Sequence, residues 1–213
     1  MKCEQSINEK WLKNMIKNNL ILGLDISTTT IGFNIIKNNI NSDIIKFGFI
    51  KPNLYVESKD STIYTDNETL IFKCIYSVNE IKKILIKYPD IKYVFLEDSL
   101  KNFATGKTKA NVKIMLITIN NIIYYELWKE HKYIIQKIHP STARKLAIGK
   151  STNKSFKKPT PKRFAMCFLI KKYGKSFYKQ LPRMKRKDKL SKEAFDISDS
   201  LIISLSCQKK YLK

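Results

Sequence analysis

The sequence contains few of the residue types that cross-link small proteins or interrupt regular secondary structure. Its 213 residues include four Cys, six Gly, six Pro and two His. So few Gly and Pro exclude collagen-like and low-complexity chains. The four Cys form no C-x-x-C pair and no His stands at zinc spacing, which excludes a zinc site and a disulfide framework. We therefore expect reduced thiols in an intracellular, reducing compartment.

Long apolar runs are also missing. The longest, residues 114–119 and 122–125, are broken by Asn120 and Asn121 and are too short to span a bilayer. The first 19 residues mix Lys with Glu and match neither a secretory signal nor a transit peptide. We expect no membrane partner. The 43% apolar and 11% aromatic content is nevertheless enough for a folded core.

Acidic residues are few, and they are almost absent from one part of the chain. The chain has 41 Lys or Arg against 18 Asp or Glu, a formal net charge of +23. Residues 140–192 hold 18 of the basic residues and only one acid. Such an excess indicates a polyanionic partner, and the aromatic residues interleaved with it favour a nucleic acid, because they stack on bases. A membrane surface is the weaker alternative, since Pro and Gly interrupt any long amphipathic helix there.

Hydropathy patterns predict an α/β chain. Apolar runs predict strands over 20–26, 31–37, 44–50, 91–96 and 133–138. Apolar positions three and four residues apart predict helices over 68–88, 109–131, 141–148, 161–173 and 191–208. The stretches 149–160 and 174–190 are predicted to be Gly-, Pro- and Lys-rich connectors.

The order of these elements predicts a mixed five-stranded sheet. Three strands joined by short turns form an antiparallel meander, and two helix-linked strands are then parallel. Helices cover both faces. We expect an N-terminal extension over residues 1–19 and a single domain over 20–213, with a basic DNA-binding segment at about 140–192.

Four acids occupy unusual positions. Asp25 lies inside the most apolar strand, where an ionised group is unfavourable unless it is paired or bound to metal. Glu97 ends the fourth strand, and Asp196 and Asp199 share one face of the last, largely apolar helix. Each acid alone has an ordinary explanation, as a turn cap, a strand end or the wet edge of a helix. Together they indicate Mg²⁺ or Mn²⁺, and two such ions about 4 Å apart can hold a scissile phosphate and activate water.

Three motifs carry a family resemblance. Residues 21–28 (ILGLDIST), 94–97 (VFLE) and 195–201 (FDISDSL) together resemble the RuvC-like Holliday junction resolvases of the RNase H superfamily, viral and phage members included. The resemblance runs over residues 20–206 and implies an RNase H-like fold. It also implies that the family's catalytic, Mg²⁺-binding acids are Asp25, Glu97, Asp196 and Asp199.

The resemblance further implies a homodimer that acts in DNA recombination and repair. It would nick two opposed strands of a four-way junction, water attacking in line to leave 5′-phosphate and 3′-hydroxyl ends. Asp98 stands where bacterial members usually have Gln, and Leu100 stands where they often have an aromatic wedge. The expected DNA contacts are Arg144, Lys145, Lys150, Lys162 and Arg163 in the basic stretch, with Phe103 as the aromatic nearest the wedge position.

Several alternatives stay open. Another RNase H-like nuclease, cutting RNA–DNA hybrids or other branched DNA, would share every site residue. A non-catalytic DNA-binding protein is expected if the acids do not bind metal. Residues 23–30 also resemble the phosphate loop of the sugar kinase, Hsp70 and actin group, but no second Gly-rich loop is visible. His131 and His139 lie at element ends, where a structural role is expected. The nuclease interpretation requires carboxylates that gather without being locked in ion pairs with lysines.

Overall fold

The computed structural model describes residues 19–39, 41–52, 66–98, 110–149, 161–184 and 189–211. The strands are β1 (Leu20–Ile26), β2 (Ile31–Lys37), β3 (Ile44–Ile50), β4 (Ile91–Glu97) and β5 (Ile134–Ile138). The helices are α1 (Asp66–Lys87), α2 (Ala110–Lys129), α3 (Pro140–Ile148), α4 (Pro161–Gln180) and α5 (Lys192–Tyr211).

The five strands form one mixed sheet in the order β3-β2-β1-β4-β5. The β1–β2 and β2–β3 pairs are antiparallel, whereas β4 and β5 run parallel to β1 and to each other. This confirms the predicted architecture. Leu24 of β1 lies level with Leu96 of β4, so the next residues, Asp25 and Glu97, reach the same end of the sheet side by side.

Helices cover both faces of the sheet and form two separate cores. Alternate residues of β1 point to opposite faces, as the pleat of a strand requires. Leu22 and Leu24 pack with α1 and α2, whereas Ile21 packs with α3, α4 and α5. The apolar character of β1 on both sides therefore follows from its central, doubly covered place.

Two glycines let α5 lie directly on the central strands. A Cβ on Gly23 would overlap the Ser204 side chain, and one on Gly32 would overlap the backbone of Asp196. Any larger residue would hold the helix away from the sheet. Glycine at these places brings the first turns of α5 against the strand end that carries Asp25.

One element prediction is wrong. The helix predicted over residues 161–173 is present, but a second helical segment follows it as far as Gln180, so the predicted connector starts later, at Leu181. The helix is kinked at Gly174, whose φ of +81° glycine tolerates readily. Helical structure then resumes because Phe177 and Leu181 are buried in the core. Other predicted bounds differ from those observed by at most three residues.

Several expectations concern residues that the structure does not describe. Residues 1–18 of the predicted extension lie outside the described residues, as do 150–160 and 185–188 of the basic segment. Within the described residues, Cys74, Cys167 and Cys207 are free thiols. In the same residues, no helix combines the length and the apolar character that a membrane crossing requires.

Candidate active site

Three distant parts of the chain deliver acids to one place. Asp25 stands near the end of β1 and Glu97 ends β4 beside it. Asp196 and Asp199 come from the first half of α5, one helical turn apart. Asp25, Asp196 and Asp199 are buried, whereas Glu97 is half-buried. The structure thus directs the acids of β1, β4 and the last helix towards the same end of the sheet, and their role as one site stays a prediction.

Burial and the neighbouring acids both disfavour a charge on Asp25. Its pKa lies well above the ordinary value, first because burial disfavours its charge. A side-chain hydrogen bond with Glu97 raises it further, and so do the charges of Glu97, Asp199 and Asp196. The other three acids thus all act on Asp25, and its negative charge beside theirs is unfavourable without a cation.

Two basic side chains supply positive charge to the acids. Lys162 Nζ lies 3.1 Å from Asp199 Oδ2 and 3.9 Å from Asp196 Oδ1. Arg144 Nη2 donates a 3.2 Å hydrogen bond to Asp199 Oδ1. Sequence reasoning expected Arg144 and Lys162 near the site as DNA contacts, and the structure places both there, on carboxylates. Ion pairing with a lysine, the arrangement adverse to the nuclease interpretation, is therefore present at Asp199 and more weakly at Asp196.

Burial and neighbouring charges act in opposite directions on the pKa values of Lys162 and Asp196. Burial opposes the charge of Lys162, but Asp199 and Asp25 outweigh it and raise the pKa of Lys162. The pKa of Asp196 is raised by burial, although Lys162 and Lys192 act in the opposite direction. About half of the Lys162 side chain is exposed, at 51%. Its ammonium group can therefore move into solvent when a metal ion takes its place beside the carboxylates.

The donor set fits a hard divalent cation. Asp196 Oδ2 is buried and has no hydrogen-bond partner among the described residues. A buried carboxylate oxygen without a donor is unfavourable, and a metal ion removes that penalty. Carboxylate oxygens are also the ligands that Mg²⁺ and Mn²⁺ prefer. As arranged here, the described residues contain no group of three or more His, Cys, Asp or Glu side chains close enough to share one ion. Ligation thus requires Lys162 to withdraw and the carboxylates to approach.

Sequence reasoning missed contacts that flank the acids. Lys192 Nζ donates a 2.8 Å hydrogen bond to Thr29 Oγ1 in the turn between β1 and β2. Behind the site, the buried Asn34 amide donates a 3.0 Å hydrogen bond to Ser200 Oγ, which ties β2 to α5. The hydroxyl-rich turn at 27–30 was the available signal for the first contact. The second joins residues 166 positions apart and left no local pattern.

The other predicted residues are placed as follows. Lys145 on α3 and Arg163 on α4 are exposed. Lys150 and Phe103 lie outside the described residues. The His139 ring is 2.7 Å from Ser141 Oγ, and the His131 ring packs edge-on against Trp128. These contacts at element ends are of the structural kind expected for both histidines.

Comparison with known proteins identifies the fold. No protein-family model and no curated protein matches the chain. Among solved structures, Thermus thermophilus RuvC in complex with a Holliday junction substrate aligns with a TM-score of 0.55 at 8% identity, covering 89% of this chain and 92% of that one. The yeast mitochondrial Holliday junction resolvase Ydc2 aligns with a TM-score of 0.58 at 13% identity, covering 95% and 85%. The chain thus has the RuvC-like, RNase H-like fold.

Proposed function

We propose that this protein is a metal-dependent endonuclease that resolves four-way DNA junctions by paired nicks. The observation that carries the proposal is the gathering of Asp25, Glu97, Asp196 and Asp199 at one end of the sheet in a chain of net charge +23. Buried carboxylates need a compensating cation, and Lys162, which pairs with two of them, is half exposed and could give way to a metal ion. Both named structural neighbours are described as resolvases or as bound to a Holliday junction. Viral or phage origin stays a prediction.

The four carboxylates would hold Mg²⁺ or Mn²⁺, in our proposal two ions. When bound, the metal supplies Lewis-acid stabilisation of the phosphate and lowers the pKa of water. β1, β4 and α5 hold the backbones of the acids, and the carboxylates would approach one another by movement of their side chains. Water attacks the phosphorus in line, and the leaving oxygen becomes the 3′-hydroxyl while the phosphate stays on the 5′ end.

Arg144 and Lys162 would exchange a carboxylate partner for phosphate oxygens. Both already lie at the acids, so the scissile strand meets them as it arrives. A guanidinium binds phosphate oxygens in a fixed, forked geometry, whereas an ammonium acts as a point charge. We therefore assign orientation of the phosphate to Arg144 and charge neutralisation to Lys162.

Two nicks in opposed strands require two such centres, so we propose a homodimer. The described residues provide one set of acids for each chain. Ile71 and Ile75 lie four residues apart on α1 and are 54% and 52% exposed, which suits a contact with a second copy. Light scattering on the junction complex should give the mass of two 24.9 kDa chains. One chain per junction would contradict the dimer.

The decisive experiment compares the protein with Asp25→Asn on three substrates in Mg²⁺. These are a four-way junction, a linear duplex and an RNA–DNA hybrid. Symmetric paired nicks in the junction alone, lost in the variant, support the proposal. Preferential cutting of the hybrid would replace it with the alternative RNase H-like nuclease.

One alternative has an observation in its favour. The ion pairs of Lys162 with Asp199 and Asp196 suit a DNA-binding protein without catalysis. In that case the junction would be bound but never cut, with either metal. Asp25→Asn would then leave every measured property of the DNA complex unchanged.

A further inference from the structure

Phe49 shares a row of the sheet with the candidate catalytic acid. It pairs with Gly32 of β2, which in turn pairs with Asp25 of β1. Residues paired across antiparallel strands point to the same face. Phe49 is therefore on the face that carries the acids, two strands or about 10 Å from Asp25.

The Phe49 ring is presented to solvent. The residue is 38% exposed and belongs to neither core, whereas Phe47 on the same face packs edge-on against Phe177. β3 is also the last strand on its side of the sheet. The Phe49 ring is thus accessible to a binding partner.

Two lysines with defined partners lie near Phe49. Lys51 Nζ lies 5.4 Å from the Phe49 ring centroid and 2.6 Å from Glu193 Oε1. The residue before Glu193 on α5, Lys192, donates a hydrogen bond to Thr29, which lies in the turn beside Asp25. Two lysines and the Glu193 carboxylate thus lie along the path from Asp25 to Phe49, and Lys51 would exchange Glu193 for a phosphate when DNA binds. An aromatic ring next to ammonium groups complements a nucleotide, since the ring stacks on the base and the cations face the phosphate.

We propose that Phe49 is a stacking site for an unpaired base of the strand being cut, with Lys51 beside that nucleotide's phosphate. The inference rests on the proposed function and adds a residue that binds the substrate next to the acids. The distance of about 10 Å corresponds to roughly three base steps at about 3.4 Å each. A stacked base there holds the strand in position, and stacking accepts any base.

The first test measures binding of a four-way junction in EDTA, where no cutting occurs, over a series of salt concentrations. Phe49→Ala should weaken binding about 5- to 150-fold, the range for one stacked base. The slope of log K against log salt should stay unchanged, because no phosphate contact is lost. Phe49→Trp should bind like the wild type, and Phe49→Leu, which keeps an apolar side chain without an aromatic face, should bind like Phe49→Ala.

The matched control is Ile45→Ala. Ile45 lies on the same strand and is also 38% exposed, so its removal takes similar apolar surface from β3. It should leave junction affinity within about twofold. Equal losses in Ile45→Ala and Phe49→Ala would mean that the strand itself was disturbed, and would overturn the proposal.

The second test moves a single abasic nucleotide along each arm near the junction centre. Where the missing base is the one that stacks, the wild type should lose the same 5- to 150-fold, and Phe49→Ala should lose nothing more. Additive losses at every position would overturn the stacking site. Both tests measure binding. If the protein cuts the junction but the losses from Phe49→Ala and the abasic nucleotide are additive, this inference alone is refuted. If the two losses are not additive but no junction is cut, the proposed nuclease activity is refuted and Phe49 remains part of a base-stacking DNA-binding surface.

Discussion

The two faces of the sheet differ in what they bury. Under α1 and α2 the core is built from aliphatic side chains such as Leu24, Ile81 and Ile123. Under α5 lie all three buried charged residues of the described part, namely Asp25, Asp196 and Asp199. The polar side chains Asn34 and Ser200 join them there.

This difference separates stability from chemistry. Buried apolar surface contributes about 25 cal/mol per Å², so the layer of α1 and α2 stabilises the fold. Buried like charges oppose folding unless a cation compensates them. The α5 face therefore loses stability at the place where we propose a metal site, and mutations on the two faces should affect the two properties differently.

The largest expected effect is on activity at the α5 face. Asp25→Asn should lower the rate of junction cutting by at least about 1000-fold, because it removes a central ligand. The same change should raise the free energy of unfolding of the metal-free chain by roughly 1 kcal/mol, since it removes a buried charge from a site that is not optimised for stability. Gel-based cutting assays and urea unfolding measure the two properties. A variant that is both inactive and less stable would contradict the separation.

The same substitution should change the pH dependence of stability. Because the pKa of Asp25 lies above its ordinary 3.8, the folded chain binds more protons than the unfolded chain between these two pKa values. The contribution of Asp25 to the free energy of unfolding therefore falls as pH rises through that interval. The wild type minus Asp25→Asn difference, measured in EDTA, should show this decline.

On the apolar face, Ile81→Ala should act on stability alone. Ile81 is fully buried, so truncation should lower the free energy of unfolding by about 3 kcal/mol. Ile81→Val should cost about 1 kcal/mol. At temperatures where the variants stay folded, kcat for the junction should match the wild type. A selective loss of kcat would show that the two faces are coupled.

Gly32→Ala should affect both properties. A Cβ there overlaps the Asp196 backbone, so α5 must move off β2, at an expected cost of about 2 kcal/mol. Cutting should fall as well, because Asp196 moves with the helix. Gly48→Ala is the matched control, since its Cβ would meet only the Phe33 ring at 2.9 Å. Equal losses of activity in the two variants would argue against helix displacement as the cause.

The smallest expected effect is at Glu193. Lys51 lowers the pKa of Glu193 to about 2, below its ordinary 4.5. The associated stability is present above pH 4.5 and is lost as pH falls towards 2. Glu193→Gln should remove about 0.5 kcal/mol at neutral pH, since half of Lys51 is solvent-exposed. A loss that persists at pH 2 would indicate packing rather than charge.

The sequence predicted the sheet for identifiable reasons, whereas the role of the acids stays a prediction. Strands covered on both faces read as apolar runs, and a charge inside such a run, Asp25, stands out. The site's partners were harder to predict. Lys162 reaches Asp199 only because α4 packs against α5, and a Gly such as Gly174 commonly ends a helix. Whether Phe49 faces the acids depends on its pairing with Gly32, which no local pattern reveals.

The central claim is that the gathered carboxylates bind a divalent metal ion. Its most direct test is a Mn²⁺ titration followed by electron paramagnetic resonance, with wild type, Asp25→Asn and Lys162→Ala. We predict saturable binding by the wild type, at least about tenfold weaker binding by Asp25→Asn, and tighter binding by Lys162→Ala because its ammonium no longer competes. No saturable binding by the wild type, or equal binding by Asp25→Asn, would contradict the account.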